Sequence, residues 1–252
     1  MEIKEYQRMF NVEDKHWWFV GNRKITFSQI DKIVIDRKNK ILDVGCGTGI
    51  NLKFLEKYGL AIGVDLSEGA LRFCRLRGHR RLCLADAVSL PFKTGSFSIV
   101  NTSHVLEHLD DDNMALEEFF RILKPKGLLI ITVPTFDFLW SGHDEVLQHK
   151  RRYTKKSLER KLNKFRFIRI KNSYTSFFIF PIVFLMRKMR QKAELKKKIC
   201  DLEIFKSAPI INKILDILYV IEAKLLKVIN FPLGVSMIYI VEKEEVGEKK
   251  DI

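Results

Sequence analysis

Short apolar runs alternate with amphipathic segments through the first half of the chain, and this alternation predicts an α/β fold. Residues 41–49 (ILDVGCGTG) join an apolar run to a turn that carries three glycines. The run is typical of a strand buried on both faces of a parallel sheet, and the glycines permit close approach of a ligand to the backbone. Residues 51–58 then place Leu52, Leu55 and Tyr58 at helical spacing. The pattern therefore predicts a strand, a glycine-rich loop and a helix in succession.

Acidic residues accompany three of the predicted strands. Asp43 directly precedes the glycine loop, the strand AIGVD ends in Asp65, and the strand RLCLAD ends in Asp86. Because the carboxyl ends of neighbouring strands line one crevice in a doubly wound sheet, we expect the three carboxylates at the same edge. There Asp65 would accept hydrogen bonds from ribose hydroxyls, and Asp86 with Ala87 would lie beside the base. The sequence thus predicts a nucleoside site.

The spacing of the glycines narrows the choice of nucleoside. They follow G-x-G-x-G, whereas the dinucleotide fingerprint requires G-x-G-x-x-G and the phosphate loop requires G-x-x-x-x-G-K-[ST]. No Lys or Arg lies within the loop to favour a phosphate. The negative charge of Asp43 instead suits a ligand with a cationic amino group and a sulfonium.

Five segments between residues 41 and 134 resemble, in their order, the class I S-adenosylmethionine-dependent methyltransferases. They are ILDVGCGTG, GVDLS, ADAVSLPF, HVLEHL and LKPKGLLIITVP. The resemblance implies a Rossmann-like seven-stranded sheet with an antiparallel final strand, helices on both faces, and S-adenosyl-L-methionine as cofactor. Together with the spacing, it places these residues at the cofactor: Asp43, Gly45, Cys46, Gly47, Asp65, Leu66, Asp86, Ala87 and Ser103.

The predicted fold is a single methyltransferase domain with additions at three places. Residues 1–35 form an N-terminal helical cap that we expect to close over the cofactor, with Trp17 or Trp18 excluding water and Arg23 reaching a carboxylate. The cofactor-binding core and the substrate loop occupy residues 36–174, a helical insertion residues 175–230, the last strand residues 231–243 and a disordered tail residues 244–252. The alternating segment 164–174 and residues 235–242 are predicted to close the sheet as an antiparallel pair.

Composition points to a cytoplasmic protein. The four cysteines are scattered and form no C-x-x-C pair, which indicates free thiols in a reducing compartment. The N-terminal residues lack the apolar core of a signal peptide. The net charge is +14, but the basic excess lies between Lys150 and Cys200 and not in the cofactor-binding core.

The insertion allows two interpretations. Ten apolar residues (177–186, FFIFPIVFLM) are followed by a basic run (187–198) and an amphipathic stretch (204–229). The apolar run is about half of the roughly 20 residues that a membrane-spanning helix requires. The insertion is therefore either a helical subdomain over the substrate pocket or a segment that lies on an anionic membrane surface, and both can hold together. Nucleic-acid binding is disfavoured, because the basic residues flank apolar ones and form no polar groove.

Residues 104–108 (HVLEH) fit the H-x-x-E-H pattern of one class of zinc peptidase. Here the pattern begins at a strand end and not within a helix. We therefore expect no metal, and interpret His104 as a substrate-binding residue.

The substrate loop is predicted in residues 136–153 (FDFLWSGHDEVLQHKRRY), just beyond the carboxyl end of a strand. It resembles a stretch of methyltransferases that accompany glycan and lipid-carrier biosynthesis. The predicted catalytic residues, which would take a proton from a hydroxyl, are His143, Asp144 and His149. The predicted substrate-binding residues are His104, Trp140, Arg152 and Tyr153.

The histidines favour O-methylation of a small-molecule, glycan or lipid-linked acceptor, since a general base assists an oxygen nucleophile more than an unprotonated amine. Two alternatives stay open at this point. One is a membrane-associated binding protein with a vestigial methyltransferase fold. The other is an NAD(P)-dependent reductase, whose Tyr-x-x-x-Lys pair would fall at Tyr239 and Lys243 in a terminal strand.

Overall fold

A computed structural model of the chain describes residues 2–34, 36, 38–192 and 209–245. In this part of the chain seven strands form one sheet, in the order β3-β2-β1-β4-β5-β7-β6. The strands are β1 (Asn39–Val44), β2 (Gly59–Asp65), β3 (Leu82–Leu84), β4 (Phe97–Ser103), β5 (Leu123–Pro134), β6 (Phe167–Thr175) and β7 (Ser236–Lys243). Strands β1 to β5 pair in parallel, whereas β7 runs antiparallel to both β5 and β6. The predicted seven-stranded sheet and its antiparallel closing pair are confirmed.

Helices cover both faces of this sheet. They are α1 (Ile3–Val12), α2 (Trp17–Ile33), α3 (Ile50–Leu55), α4 (Glu68–Leu76), α5 (Asp112–Ile122), α6 (Gly142–Val146), α7 (Lys155–Leu162), α8 (Phe180–Lys192) and α9 (Pro209–Leu225). Ile41 and Leu42 are adjacent in β1 but belong to separate apolar cores, one on each face. Side chains alternate along a strand, so a strand covered on both faces requires apolar residues at successive positions. This requirement explains the uninterrupted apolar run before the glycine loop.

A third apolar cluster lies where α2, α8 and α9 meet. The rings of Trp17 and Tyr219 are 6.1 Å apart there, and Lys24 forms a salt bridge with Asp216. A Cβ on Gly21 would lie 2.3 Å from the ring of Tyr219. A glycine at this position is therefore what allows α2 and α9 to approach so closely. We call these three helices the cover, because α2 and α8 line the cavity described below.

Parts of the predicted insertion and tail lie outside the described residues, namely residues 193–208 and 246–252. The division of the chain into cap, core, insertion and tail stays a prediction. Among the helices that the structure describes, none has the length and apolar character needed to cross a bilayer. The cysteines at positions 46, 74 and 83 carry free thiols, as predicted.

Candidate cofactor and acceptor site

The glycine loop follows β1 at the point where the sheet order reverses between β1 and β4. Gly45, Gly47 and Gly49 have φ angles of 67°, 56° and 85°, a region that strongly favours glycine. A Cβ built on Gly47 meets no atom within 4 Å. The loop therefore leaves open space above it, of the kind that a bound nucleoside fills.

Asp65 ends β2 beside this loop and is 7% exposed. Its Oδ2 accepts a hydrogen bond from the backbone N–H of Gly47 at 2.9 Å, and its Oδ1 accepts one from Ser67 at 2.9 Å. Burial raises the pKa of this carboxyl, and the two backbone hydrogen bonds oppose that rise. A carboxylate can accept about four hydrogen bonds, so Asp65 can also accept from the hydroxyls of a ribose.

Asp43 lies beneath the cavity and not on its wall. Its Oδ1 accepts a hydrogen bond from Nδ2 of Asn101 at 2.7 Å, and Asn101 lines the cavity. Its buried Oδ2 has no hydrogen-bonding partner among the described residues. Burial raises the pKa of Asp43 to about 7. A cationic group bound above Asn101 would favour the ionised form, so these residues fit the positively charged cofactor that the sequence predicts.

The N-terminal helices form one wall of the site. Tyr6, Trp18 and Arg23 line the cavity, whereas Trp17 belongs to the cluster of the cover. Glu13 accepts hydrogen bonds from the Thr48 hydroxyl of the glycine loop and from Nη2 of Arg77, the latter at 2.8 Å. Nη2 of Arg23 donates to the backbone carbonyl of Glu13 at 2.6 Å, and the expected contact of Arg23 with a carboxylate stays a prediction. The chain segment before the sheet is thus tied directly to the cofactor loop.

The cavity has a volume of about 470 Å³ and runs from the glycine loop to the loops after β4 and β5. Of the residues predicted at the cofactor, these line it: Gly45, Cys46, Gly47, Asp65, Leu66, Asp86, Ala87 and Ser103. We call the opposite end the acceptor end; its side chains are His104, His108, His143, His149, Arg152 and Arg187. One continuous space therefore joins the predicted cofactor residues to a cluster of imidazoles and guanidiniums.

Three predicted catalytic or substrate-binding residues lie off the cavity wall. Tyr153 is buried in the core, and its hydroxyl donates to Oδ2 of Asp112 at 2.7 Å. Trp140 is half-buried and does not line the cavity. Asp144 is fully buried behind the wall. The structure thus gives Tyr153 a packing position, and it leaves Asp144 able to act on the cavity only through its neighbours.

Asp144 organises the acceptor end through those neighbours. Its two oxygens accept hydrogen bonds from Nε and Nη2 of Arg152, each at 2.9 Å, and Oδ1 also accepts one from Nδ1 of His149 at 2.8 Å. The backbone N–H of Ser141 donates to Oδ2 at 2.9 Å. Burial alone would raise the pKa of Asp144, but the His149 hydrogen bond and the Arg152 charge outweigh it and hold the pKa well below its ordinary value. This carboxylate stays ionised and acts as a hydrogen-bond acceptor, which leaves proton transfer to the histidines.

The turn after β4 supplies a second group of polar side chains. His104 has a φ of 57°, and its Nδ1 lies 3.0 Å from Oε1 of Glu107. Non-glycine residues in this backbone region are uncommon and concentrate at functional sites. Glu107 is completely buried, and its Oε2 has no hydrogen-bonding partner in the described part of the chain. Burial lowers the pKa of His108 to about 4, so its ring is neutral at pH 7.

Sequence reasoning did not single out Asn101, Glu107, His108 or Arg187 for the site. The H-x-x-E-H pattern contained a signal for Glu107 and His108. Arg187 belongs to α8, which the sequence associates with the insertion and not with the substrate loop. Its guanidinium contacts the backbone carbonyl of Leu139 and lines the acceptor end.

Comparisons with known proteins agree with this geometry. Residues 42–131 match the family described as methyltransferase domain. Over 150 residues the chain is 31% identical to an uncharacterized protein of Methanocaldococcus jannaschii, covering 57% of this chain and 71% of that protein. Over 108 residues it is 38% identical to the tRNA (carboxymethyluridine(34)-5-O)-methyltransferase of Arabidopsis thaliana, covering 42% of this chain and 25% of that protein. The chain spans less than two thirds of the length of several of its curated relatives.

A solved structure extends the likeness to nearly the whole chain. In the complex between the Haloferax volcanii Trm112 methyltransferase activator and a methyltransferase, one chain superimposes with a TM-score of 0.63 at 16% identity. The match covers 98% of this chain and 96% of that one. At this identity the likeness concerns the fold.

The fold and the cavity define a Rossmann-like nucleoside-binding protein. Residues 42–131 form a methyltransferase domain, and the fold is that of the class I S-adenosylmethionine-dependent methyltransferases, whose cofactor is S-adenosyl-L-methionine. The comparisons give no support to a reductase or to a binding protein with a vestigial fold.

Proposed function

We propose that this chain transfers the methyl group of S-adenosyl-L-methionine to a hydroxyl oxygen of a lipid-linked acceptor. The observation that carries the proposal is the acceptor end, where His143 and His149 line the same cavity as Gly47 and Asp65. An alcohol is a poor nucleophile until it loses its proton, and a neutral imidazole within reach of the cavity can remove that proton. An amine that is already unprotonated would need no such base.

The residues of the chain have separate tasks in this reaction. Bound S-adenosyl-L-methionine supplies a methyl group on an already activated sulfonium, so positioning of the two reactants provides much of the rate. Asp65 and the glycine loop fix the nucleoside, and Asn101 with Asp43 balances its positive charge. His143 or His149 takes the proton of the acceptor hydroxyl, a contribution of about 10²- to 10⁴-fold. Arg152 and Arg187 offer guanidiniums that suit an anionic group of the acceptor, such as a phosphate.

The outer surface of the cover supports the lipid-linked part of the proposal. Helix α8 contributes Val183 and Arg187 to the cavity and exposes Ile182, Leu185 and Met189 on its other side. Helix α9 and the residues that follow it expose further large apolar side chains, namely Ile214, Ile217, Ile221, Leu225, Val228, Ile229 and Leu233. Basic side chains are exposed among them, including Lys188, Lys213, Lys224 and Lys227. Apolar residues interleaved with lysines suit the headgroup region of an anionic membrane.

We therefore propose a cytoplasmic protein that attaches to the membrane surface through the outer side of α8 and α9. An acceptor held in the bilayer by a lipid would then enter the cavity beside α8. Free glycans and small hydrophobic alcohols are the other acceptors that the imidazole-lined cavity admits.

The test combines cofactor binding with methyl transfer. Calorimetric titration with S-adenosylhomocysteine should give micromolar binding by the full-length protein, and none with NADH. Methyl-labelled S-adenosyl-L-methionine is then supplied with a total lipid extract, with soluble glycans or with small alcohols, and the labelled fraction is identified. His143→Gln should lower transfer by about 10²- to 10⁴-fold without changing the affinity for S-adenosylhomocysteine. Label that appears only in amines, at a rate that His143→Gln leaves unchanged, would exclude O-methylation.

A further inference from the structure

Glu107, His108 and His149 come together at the acceptor end. One potential ligand atom from each side chain lies within 4.8 Å of the others, in the part of the chain that the structure describes. The ring centroids of His108 and His149 are also 4.8 Å apart, and both side chains line the cavity. Two imidazoles and one carboxylate form a ligand set that is common in divalent transition-metal sites with positions left open for substrate.

The local structure holds these side chains in place without a ligand. Glu107 and His108 belong to the one-turn 3₁₀ helix Leu106–His108, and His149 lies in the loop after α6. The two segments are joined beside these side chains, because the backbone N–H of Lys150 donates to the carbonyl of Glu107 at 2.7 Å. The ligand set is thus largely preorganised, as tight metal binding requires.

The partners of His149 select the nitrogen that would bind a metal. Oδ1 of Asp144 already accepts a hydrogen bond from Nε of Arg152, so the contact of 2.8 Å between this oxygen and Nδ1 of His149 is one in which Nδ1 donates. The lone pair of His149 is then on Nε2. A histidine that donates its other nitrogen to a carboxylate is the usual arrangement at metal sites, where the carboxylate fixes the orientation of the ring.

Glu107 provides a second, independent observation that favours a bound cation at the acceptor end. Its Oε1 pairs with His104, but Oε2 is buried without a hydrogen-bonding partner among the described residues. An unsatisfied buried carboxylate oxygen is costly, and a bound cation would satisfy it. The H-x-x-E-H pattern thus contains two candidate ligands, but they are its Glu and its second His, completed by His149 from a loop 41 residues further along the chain.

We propose that Glu107, His108 and His149 bind one divalent transition-metal ion, of the kind that zinc or cobalt represents, and that this ion holds the acceptor oxygen. The inference rests on the proposed function for its role in catalysis, although metal binding can be tested without it. The hydroxyl bound to the ion loses its proton to His143, and its oxygen forms a bond to the methyl carbon. The bond between that carbon and sulfur breaks, and its electron pair stays on sulfur to give S-adenosylhomocysteine.

The experiment uses full-length protein that has been freed of metal with a chelator and dialysed. Co²⁺ is titrated in while the visible absorption bands of the bound ion are recorded, and S-adenosylhomocysteine affinity is measured on the same preparation. We expect saturation at one Co²⁺ per chain. His149→Gln and Glu107→Gln should each weaken Co²⁺ binding at least about 100-fold and change the affinity for S-adenosylhomocysteine less than about threefold. His79→Gln is the matched control, because His79 is also largely buried but pairs with Glu56 outside the cavity.

Two results would overturn the metal site: no saturable Co²⁺ binding by the wild type, or equal affinity in the wild type and both cavity variants. Either result leaves the proposed methyl transfer standing as long as S-adenosylhomocysteine still binds. Loss of S-adenosylhomocysteine binding in the wild type would instead contradict the proposed function.

Discussion

Arg152 binds Asp144 through two parallel hydrogen bonds, from Nε to Oδ1 and from Nη2 to Oδ2, each 2.9 Å long. Both side chains are almost completely buried, at 2% and 0% exposure. Paired planar geometry of this kind is the strongest form of the Arg–carboxylate contact. It fixes the loop that carries His143 and His149 against the end of β5, since Nη1 of Arg152 also donates to the carbonyl of Thr135 at 3.0 Å.

Removing the charge of Asp144 should destabilise the protein strongly. In Asp144→Asn the Arg152 guanidinium stays buried without a counter-ion, which typically costs about 3–5 kcal/mol. Urea unfolding at pH 7 measures the loss. Asp110→Asn is the control, because Asp110 is 93% exposed where it pairs with Lys150 and should change stability by less than about 1 kcal/mol. Equal free energies of unfolding for the two variants would contradict the stabilising role of the Asp144–Arg152 pair.

Gly47→Ala should separate cofactor binding from folding. Alanine at a φ of 56° costs about 1–2 kcal/mol of strain, but its Cβ meets no protein atom within 4 Å. It would occupy the space left for the cofactor, so we expect S-adenosylhomocysteine to bind at least about tenfold more weakly in calorimetry. Gly95→Ala carries the same kind of strain, at a φ of 67° with no atom within 4 Å and away from the cavity. It should lose similar stability and keep its affinity; a parallel loss of affinity would count against the loop assignment.

Asp43 should make the free energy of unfolding fall as the pH rises, which is the opposite of the usual effect of a carboxyl group. Its folded-state pKa of about 7 exceeds the ordinary value of 3.8, so between pH 4 and 7 the folded protein binds the proton more tightly than the unfolded chain does. The stabilising effect of this proton is present at pH 4 and is lost as the pH rises through 7. Relative to Asp43→Asn, the wild type should lose up to about 4 kcal/mol across this window. Denaturant unfolding of both proteins at pH 4.5, 6 and 8 tests it, and a constant difference would refute the raised pKa.

Membrane attachment should depend on α8. Leu185 and Met189 are 58% and 62% exposed. Replacing both by serine should reduce sedimentation with phosphatidylglycerol vesicles at least about tenfold, since each removes apolar area that would enter the headgroup region. The same exchange at Ile168 and Ile170, which are 48% and 42% exposed on β6, is the matched control. If the two double variants sediment alike, α8 is not the attachment site.

The sheet could be predicted from the sequence because strands covered on both faces need continuous apolar runs. The runs of β1, β2, β4 and β5 are separated from one another by clear turn segments. The acidic residues could be placed at one edge of the sheet because each of them directly follows an apolar run. The orientation of individual loop residues could not be read in this way. The backbone around Tyr153 is irregular, so the sequence shows no periodic pattern there. The burial of its ring in the core and the hydrogen bond from its hydroxyl to Asp112 could therefore not be predicted.

The acceptor end depends on contacts between segments that are distant in sequence. Glu107 is joined to Lys150, and Arg187 reaches Leu139 and lines the cavity beside residues of β4. A pattern within one segment carries no information about such partners. For this reason the H-x-x-E-H pattern, judged on its own spacing, predicted no metal, although two of its residues meet His149 in space.

The packing of α2 on α9 also bears on how the chain folds. Lys24 and Asp216 are separated by 192 positions, and Asn22 and Tyr219 by 197, yet each pair is in contact. Closing loops of this length is slow and entropically costly, so the cover should form late, after the central strands have collapsed. Trp17, which faces Tyr219, would report this step by its fluorescence. The wall that α2 gives the cofactor pocket is thereby supported only once the residues of α9 are present.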